Sequence, residues 1–484
     1  MSDRIISFDI IRGWAILGNL VVHAFMLMCT VQGTAETDPA NLTGFGYVLM
    51  GFIVLFGHWR GLFLLISAAV HMYIMNLKLN KGISRQVILA QEMFKGIVLW
   101  LWAMFFYVFL AQWSISKEWV ETGSVNLQWQ DIYHADQFAN IAWAIMISAV
   151  IFYILTANEK LKQPIVGVIV FAVIGCLFVF PAPIIHEAAM NFWGVDLHDE
   201  LGHLQKIGDK GWWDYFLRMI GNQFTARESP LMPHFAYSAT GSILGILISQ
   251  EKPDKKKILG WGYGLAGFSI VFSVFWLFVV TGLPEDLTKL VDFHVHPTWF
   301  VFLSIGMLLM VVLSVMASLE FNPMVNWSRR LRLSRWSRRA GVLSLSVYSL
   351  ASIQIFLRVG FWGIFQLFGW NDPGFRVGLG LPVGWTFLLI FLEQGIWFLL
   401  LWIWEKGRYI GSVDWIFALI LKGPFMKKDV FKQKVFGDLL DVHGKIISPT
   451  PISWVIPIPS SEVEPSVKTI QKEEKISLNP INPE

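Results

Sequence analysis

Residues Phe8–Thr30 read FDIIRGWAILGNLVVHAFMLMCT, and the rest of the chain is arranged around them. A helix needs about 20 predominantly apolar residues to cross a bilayer, and this stretch supplies them. Yet it also carries Asp9, Arg12 and His23. An ionisable side chain inside a span is costly and by default marks a functional site. At about 100° per residue, Asp9 and Arg12 share a face and are placed to pair. Arg12 and His23 are eleven residues apart, close to three whole turns, so they share that face with about 16 Å between them along the axis. Gly13 and Gly18 allow another helix to approach closely. The plainer reading of the same residues is an arginine that snorkels to the interface and a histidine that packs.

The remainder of the chain extends the membrane reading. Of 484 residues, 55% are hydrophobic and 15% charged, with 24 Trp and 39 Phe. Repeated apolar runs of span length make this an all-α polytopic membrane protein. Only helices and closed barrels satisfy their backbone in lipid, and the alternating pattern of a barrel is missing. The net charge of +3 gives no case for nucleic acid, because the basic residues cluster in particular loops. Cys29 and Cys176 both lie in apolar segments and form no zinc or disulfide framework, so no metal is expected. The first apolar run follows a short polar start and reads as a retained span, not a cleaved leader.

About ten spans follow from the apolar runs, roughly 9–31, 61–78, 88–111, 137–156, 164–184, 231–249, 258–282, 298–318, 341–366 and 382–404. Residues 45–57 are too short for a span and read as re-entrant or interfacial. Basic residues fall after every even span: Lys78, Lys81 and Arg85; Lys160 and Lys162; 251–257; Arg329 to Arg339; then Lys406, Arg408 and beyond. The positive-inside rule therefore places both termini in the cytoplasm. A membrane domain spans 1–424, and 425–484 reads as a largely extended or disordered cytoplasmic tail. Its lead-in, 411–422, has the pattern of an amphipathic helix on the inner leaflet. Most histidines fall on the outer side: His58, His134, His186, His198, His203, His234, His294 and His296. They read either as an outer polar site or as the ordinary polar content of long loops.

Several segments, in order, resemble the transmembrane acyltransferases. Asp9-x-x-Arg12-Gly13 with Ile16, Leu17, Gly18 and His23 is similar to the opening of that superfamily, and closest to its DUF418 branch. The stretch from His58 through Arg60 to Ala69 resembles the branch's second segment, with Ser67-Ala-Ala69 where a glycine is usual. Arg85, Leu89 and Gly96 resemble its third helix, and Asp131–His134 the lead-in to its fourth. Residues 230–236 with Gly241 and Gly245, Ser344-Leu-Ser-Val-Tyr348 and Gly411-Ser-Val-Asp-Trp415 resemble its later motifs; in the last, Ser412 and Asp414 replace Pro and Glu.

The resemblance implies transfer of an acyl group, an acetyl group in the simplest case, from cytoplasmic acyl-CoA to a hydroxyl or amine outside. Arg12 would hold the donor's phosphates, since guanidinium pairs bidentately with phosphate. Arg85, Ser346 and Tyr348 would complete the donor site, and Asp9 would orient Arg12. His23, or failing that His58, would act as base, with the arginines of 329–339 either assisting or only setting topology. The acceptor would be a small molecule, a glycan or a lipid. The competing expectation is a catalytically inactive scaffold subunit, packed against membrane lipids, further copies of itself or other membrane subunits. Such a subunit would have its core plugged by apolar side chains. A third expectation places Zn or Cu at His186, Glu187, His198, His203, His294 and His296, although the five-residue step from His198 to His203 fits no common ligand spacing. A transporter would need paired inverted repeats or broken helices, and neither is evident in the two halves.

Overall fold

A computed structural model describes residues 5–29, 60–110, 136–158, 162–193, 212–225, 229–250, 253–282, 296–351, 353–369, 383–426, 428–435 and 439–440. Within these the chain is helical and contains no strand. Seven of the helices are long and apolar enough to cross a membrane, or eight if one bent pair counts as a span.

The helices α1 (Ile6–Cys29), α2 (Arg60–Asn80), α3 (Arg85–Phe109) and α4 (Gln137–Leu155) form the first group. The starts of α3 and α4 are set by polar caps. Ser84 Oγ accepts from the Val87 amide at 3.4 Å, and Asp136 Oδ1 accepts from the Ala139 amide at 2.9 Å, filling orphan donors of the first turn. Next come α5 (Pro164–Val179), α6 (Ala182–Trp193), α7 (Trp212–Thr225) and α8 (Leu231–Ile248). The expected span 164–184 is a bent pair: α5 and α6 meet at 44°, across a break at 180–181 that holds Pro181, with Pro183 in the first turn of α6, residues that interrupt the amide ladder.

Then follow α9 (Lys255–Phe275), which runs on as a π-helical turn Trp276–Thr281, and α10 (Thr298–Ser318). Helix α8 is the hub. Of its apolar window 83% is buried, against 17% for α9 with its π turn, which lies at the rim. The hub is tight because Gly241 sits against the Leu65 carbonyl of α2, where a Cβ would overlap it.

The largest departure from the sequence reading is at 341–366. Instead of one unbroken helix, and preceded by α11 (Trp327–Leu333), the chain forms α12 (Arg335–Val342), α13 (Ser344–Ser349) and α14 (Ile353–Leu367). Turns at Leu343 and Leu350 separate the last three. The start of α13 is held from outside, since Ser346 donates its amide (2.9 Å) and hydroxyl (2.6 Å) to Asp414 Oδ2. A new helix start leaves amides unpaired, and this distant carboxylate takes one. The basic run read as a loop is helical too, and α12 crosses α1 so closely that Gly13 lies on the Ser337 carbonyl and Gly341 on the Asp9 carbonyl. Any side chain at either glycine meets backbone.

The chain ends with α15 (Val383–Lys406), α16 (Val413–Lys422) and α17 (Lys428–Val435). Helical structure thus continues past the expected boundary at 424. Trp415 Nε1 donates to the Val435 carbonyl at 3.1 Å, and Lys422 Nζ to the Leu439 carbonyl at 2.5 Å, docking 428–435 and 439–440 onto α16. The rest of the tail, residues 45–57 and most of the outer loops lie outside the described residues.

Candidate functional site

Helices α2 and α3 face each other through ionisable side chains. His71 and Lys78 are seven residues apart on α2, two turns, and so share a face. Glu92 and Lys95 are three apart on α3. Glu92 is fully buried and has three partners: Lys95 Nζ at 2.6 Å, Lys78 Nζ at 3.2 Å and His71 Nδ1 at 3.2 Å. Lys78 also donates to Gln91 Oε1 at 2.8 Å, and Lys95 Nζ lies 3.2 Å from His71 Nδ1. A buried carboxylate persists only when paired and hydrogen-bonded, and Glu92 is both.

This cluster forms one wall of a cavity of about 640 Å³, within the 300–1,000 Å³ range typical of ligand sites. Arg12, Lys78, Lys95 and Lys422 line it, against the single carboxylate of Asp414, so the cavity carries excess positive charge. The rest of the wall is largely apolar, including Phe63, Val70, Leu99, Phe138, Ile141 and Phe417. The two characters are separated in space. Lys78 and Gln91 mark one end, joined there by Phe425, whose ring lies 5.9 Å from Phe94 beside Lys95. Phe63, Gln137 and Phe138 mark the other end. From Lys78 to Phe63 is 15 residues of α2, about 22 Å of axis. The cavity is therefore an elongated slot, basic at one end and greasy along its length.

The far wall joins α13 and α16. Ser346 and Asp414, 68 residues apart, bond reciprocally, with the Asp414 amide returning to Ser346 Oγ at 3.1 Å. Burial pushes the Asp414 carboxyl up to about 6, against the bonds from Ser346 and the charge of Arg12. Tyr348, two residues on, packs edge-on against Phe138 at 4.7 Å and lines the slot.

The residues singled out from sequence have different fates. Arg12 and Tyr348 line the slot. Ser346 stands one layer behind it, on Asp414. Asp9 is buried one turn before Arg12 on α1. Arg85 is elsewhere, its guanidinium 5.1 Å over the ring of Tyr153. His23 is half-buried farther along α1 and is not among the lining residues. His58 lies outside the described residues, as do His134, His198, His203 and His294. Arg335 and Arg339 pair with Glu405, and Arg338 donates to the Leu331 carbonyl at 2.7 Å, so these arginines do not reach the slot. Among the described residues no three His, Cys, Asp or Glu side chains are grouped to hold a metal.

Sequence reasoning missed His71, Lys78, Glu92, Lys95, Asp414 and Lys422. The signal was there for Glu92 and Lys95, two ionisable residues inside an expected span. Lys78 was absorbed into the charge count of a loop. Comparison with family models, with curated proteins and with solved structures returned no match.

Proposed function

We propose that this chain is a membrane acyltransferase, related to the DUF418 branch of the transmembrane acyltransferases, whose donor is a cytoplasmic acyl-CoA. The observation that carries the reading is the slot. An acyl-CoA is polyanionic at one end and slender and largely uncharged at the other, and the slot has the matching order of four cations and then an apolar shaft. Charge-assisted bonds from Arg12, Lys78, Lys95 and Lys422 would hold phosphate oxygens, and the shaft would take the pantetheine arm and acyl group. A supporting observation is that two stretches chosen for their resemblance, Ser344–Tyr348 and Gly411–Trp415, meet at this wall through Ser346 and Asp414.

In this reading the basic end faces the cytoplasm and both termini lie there. Ten crossings result when α1, the bent pair α5–α6 and the broken run α12–α14 are added to the seven straight candidates. The acceptor is a hydroxyl or amine on the opposite side. A scaffold subunit would require no open slot, and the slot is what favours the enzyme.

Titration of acetyl-CoA into the purified full-length protein tests the donor site. Saturable binding is expected, weakened about tenfold by Arg12→Ala, the equivalent of about 1.4 kcal/mol, and further by adding Lys422→Ala. Absence of binding, or binding indifferent to both substitutions, would overturn the reading.

A further inference from the structure

The end of the slot away from the lysines is walled by side chains of α2, α3, α4 and α13. Phe138, 5% exposed, lines it from the first turn of α4. Its ring is held edge-on against Phe106 of α3 at 5.1 Å and Tyr348 of α13 at 4.7 Å, and those two rings lie 5.6 Å apart. Phe63 of α2 lines the same end and packs against two of the buried apolar clusters. Gln137 ties the starts of α2 and α4 together, donating through Nε2 to the Arg60 carbonyl at 3.0 Å. A carbonyl only accepts, so the amide is fixed that way round and Oε1 is the atom left over. Gln137 lines the slot and is 5% exposed, and its Oε1 has no hydrogen-bond partner among the described residues. A methylene chain pressed against that oxygen would exclude water from it and return no hydrogen bond, which is unfavourable. Braced rings and a stranded acceptor both stop an alkyl chain.

The length available is set by α2. Phe63 and Lys78 lie about 22 Å apart along its axis, and a phosphate seated deeper than Lys78, nearer Arg12 or Lys95, leaves less. An extended chain advances about 1.2 Å per bond, a third of the rise of an extended peptide unit. The arm of CoA from its inner phosphorus to its sulfur is about 13 bonds and takes up about 16 Å. What remains, about 6 Å, holds an acyl group of about five carbons at most.

Resting on the acyl-CoA reading, we infer that the wall of Phe63, Gln137 and Phe138 measures the donor's acyl chain, so that the slot takes short-chain acyl-CoAs and excludes medium and long ones. Phe138 sets the limit, because its ring is the one braced by two others.

Competition against radiolabelled acetyl-CoA on the full-length protein in lipid nanodiscs tests this, with acetyl-, butyryl- and octanoyl-CoA as competitors and empty nanodiscs as the blank. In an open apolar channel each added methylene would tighten binding about fourfold. Here the gain is expected to end near butyryl-CoA, with octanoyl-CoA about tenfold weaker than butyryl-CoA because its extra carbons meet a packed wall. Phe138→Ala is expected to raise the ratio of octanoyl- to butyryl-CoA affinity about tenfold. Phe63→Ala, at a half-buried position, should raise the same ratio and serves if loss of Phe138 prevents folding. Affinity that keeps rising through octanoyl-CoA in the wild-type protein, or a ratio unmoved in both variants, would overturn the inference and leave the donor site standing. A ratio moved by Phe63→Ala alone would take the limiting role from Phe138. If acetyl-CoA itself does not bind, the donor reading falls and this inference with it.

Discussion

The two polar clusters of this bundle solve one problem in opposite ways. At the lysine end, Glu92 is a full charge in an apolar setting, compensated by Lys78 and Lys95, which line a cavity, and contacted by His71. Across α2 from the slot, where α8 packs on Gly61 and Leu65, His234, Tyr237 and His296 are closed in and joined by hydrogen bonds and ring contacts. The cations left in excess once Glu92 is compensated attract anions from a distance. A neutral hydrogen-bonded group has no such reach but can exchange a proton. The difference shows that burial in this bundle is met in one place by counter-charges and in the other by hydrogen bonds among neutral groups.

The energetic side of this contrast can be broken by mutation. Removing Glu92 strands its cations, so Glu92→Ala is expected to cost about 3–5 kcal/mol, read as a large fall in the thermal midpoint of the detergent-solubilised protein. Tyr237→Phe removes a single hydroxyl and is expected to cost about 1 kcal/mol. If the second loss equals the first, the contrast between charged and neutral burial fails.

Glu320 sharpens the comparison as an intermediate case. It follows α10 and is 3% exposed, and its Oε1 accepts from the Ser7 amide at the start of α1 at 2.8 Å. Burial pushes its carboxyl up to about 7, against bonds from Ser7 and Ile6. The folded state therefore holds this proton more tightly than the unfolded state does. The stabilisation is complete below the ordinary carboxylate value of 4.5 and is lost as pH rises through about 7. Unfolding midpoints should fall across that window by the equivalent of about 3 kcal/mol at most, and Glu320→Gln should flatten the dependence. A wild-type midpoint that is flat from pH 4.5 to 7 would mean that Glu320 stays ionised.

The smallest effect is expected at Arg85. Its contact with Tyr153 is outside the slot, so Arg85→Ala should cost about 0.5–1 kcal/mol of stability and leave acetyl-CoA binding unchanged. Binding that weakens as much as in Arg12→Ala would extend the phosphate cradle to the start of α3.

Much of the fold was legible because span length and apolar content act locally. Helices α2, α3, α4, α8, α9 and α10 fall where apolar runs predict them. The failure at 341–366 is equally physical. The run is apolar enough for one helix, but Ser346 finds a better partner in Asp414, and a carboxylate 68 residues away is invisible to any local window. For the site, Arg12 was legible as a charge where charge is expensive. Tyr348 came from resemblance, Lys78 was mistaken for topology, and His23 kept its place on α1 without lining the slot.

By itself the sequence determined that this is a helical protein built for an apolar surround, with a basic residue set early in its first long helix, because hydropathy and helical period depend on neighbours in the chain. Only the tertiary structure decided which buried polar groups meet: Glu92 with two lysines and a histidine, Ser346 with Asp414, Tyr237 with His296. The close helix crossings at Gly13 on Ser337 and Gly241 on Leu65 are decided in the same way. A crossing is set by two surfaces at once, and neither surface specifies the other in sequence.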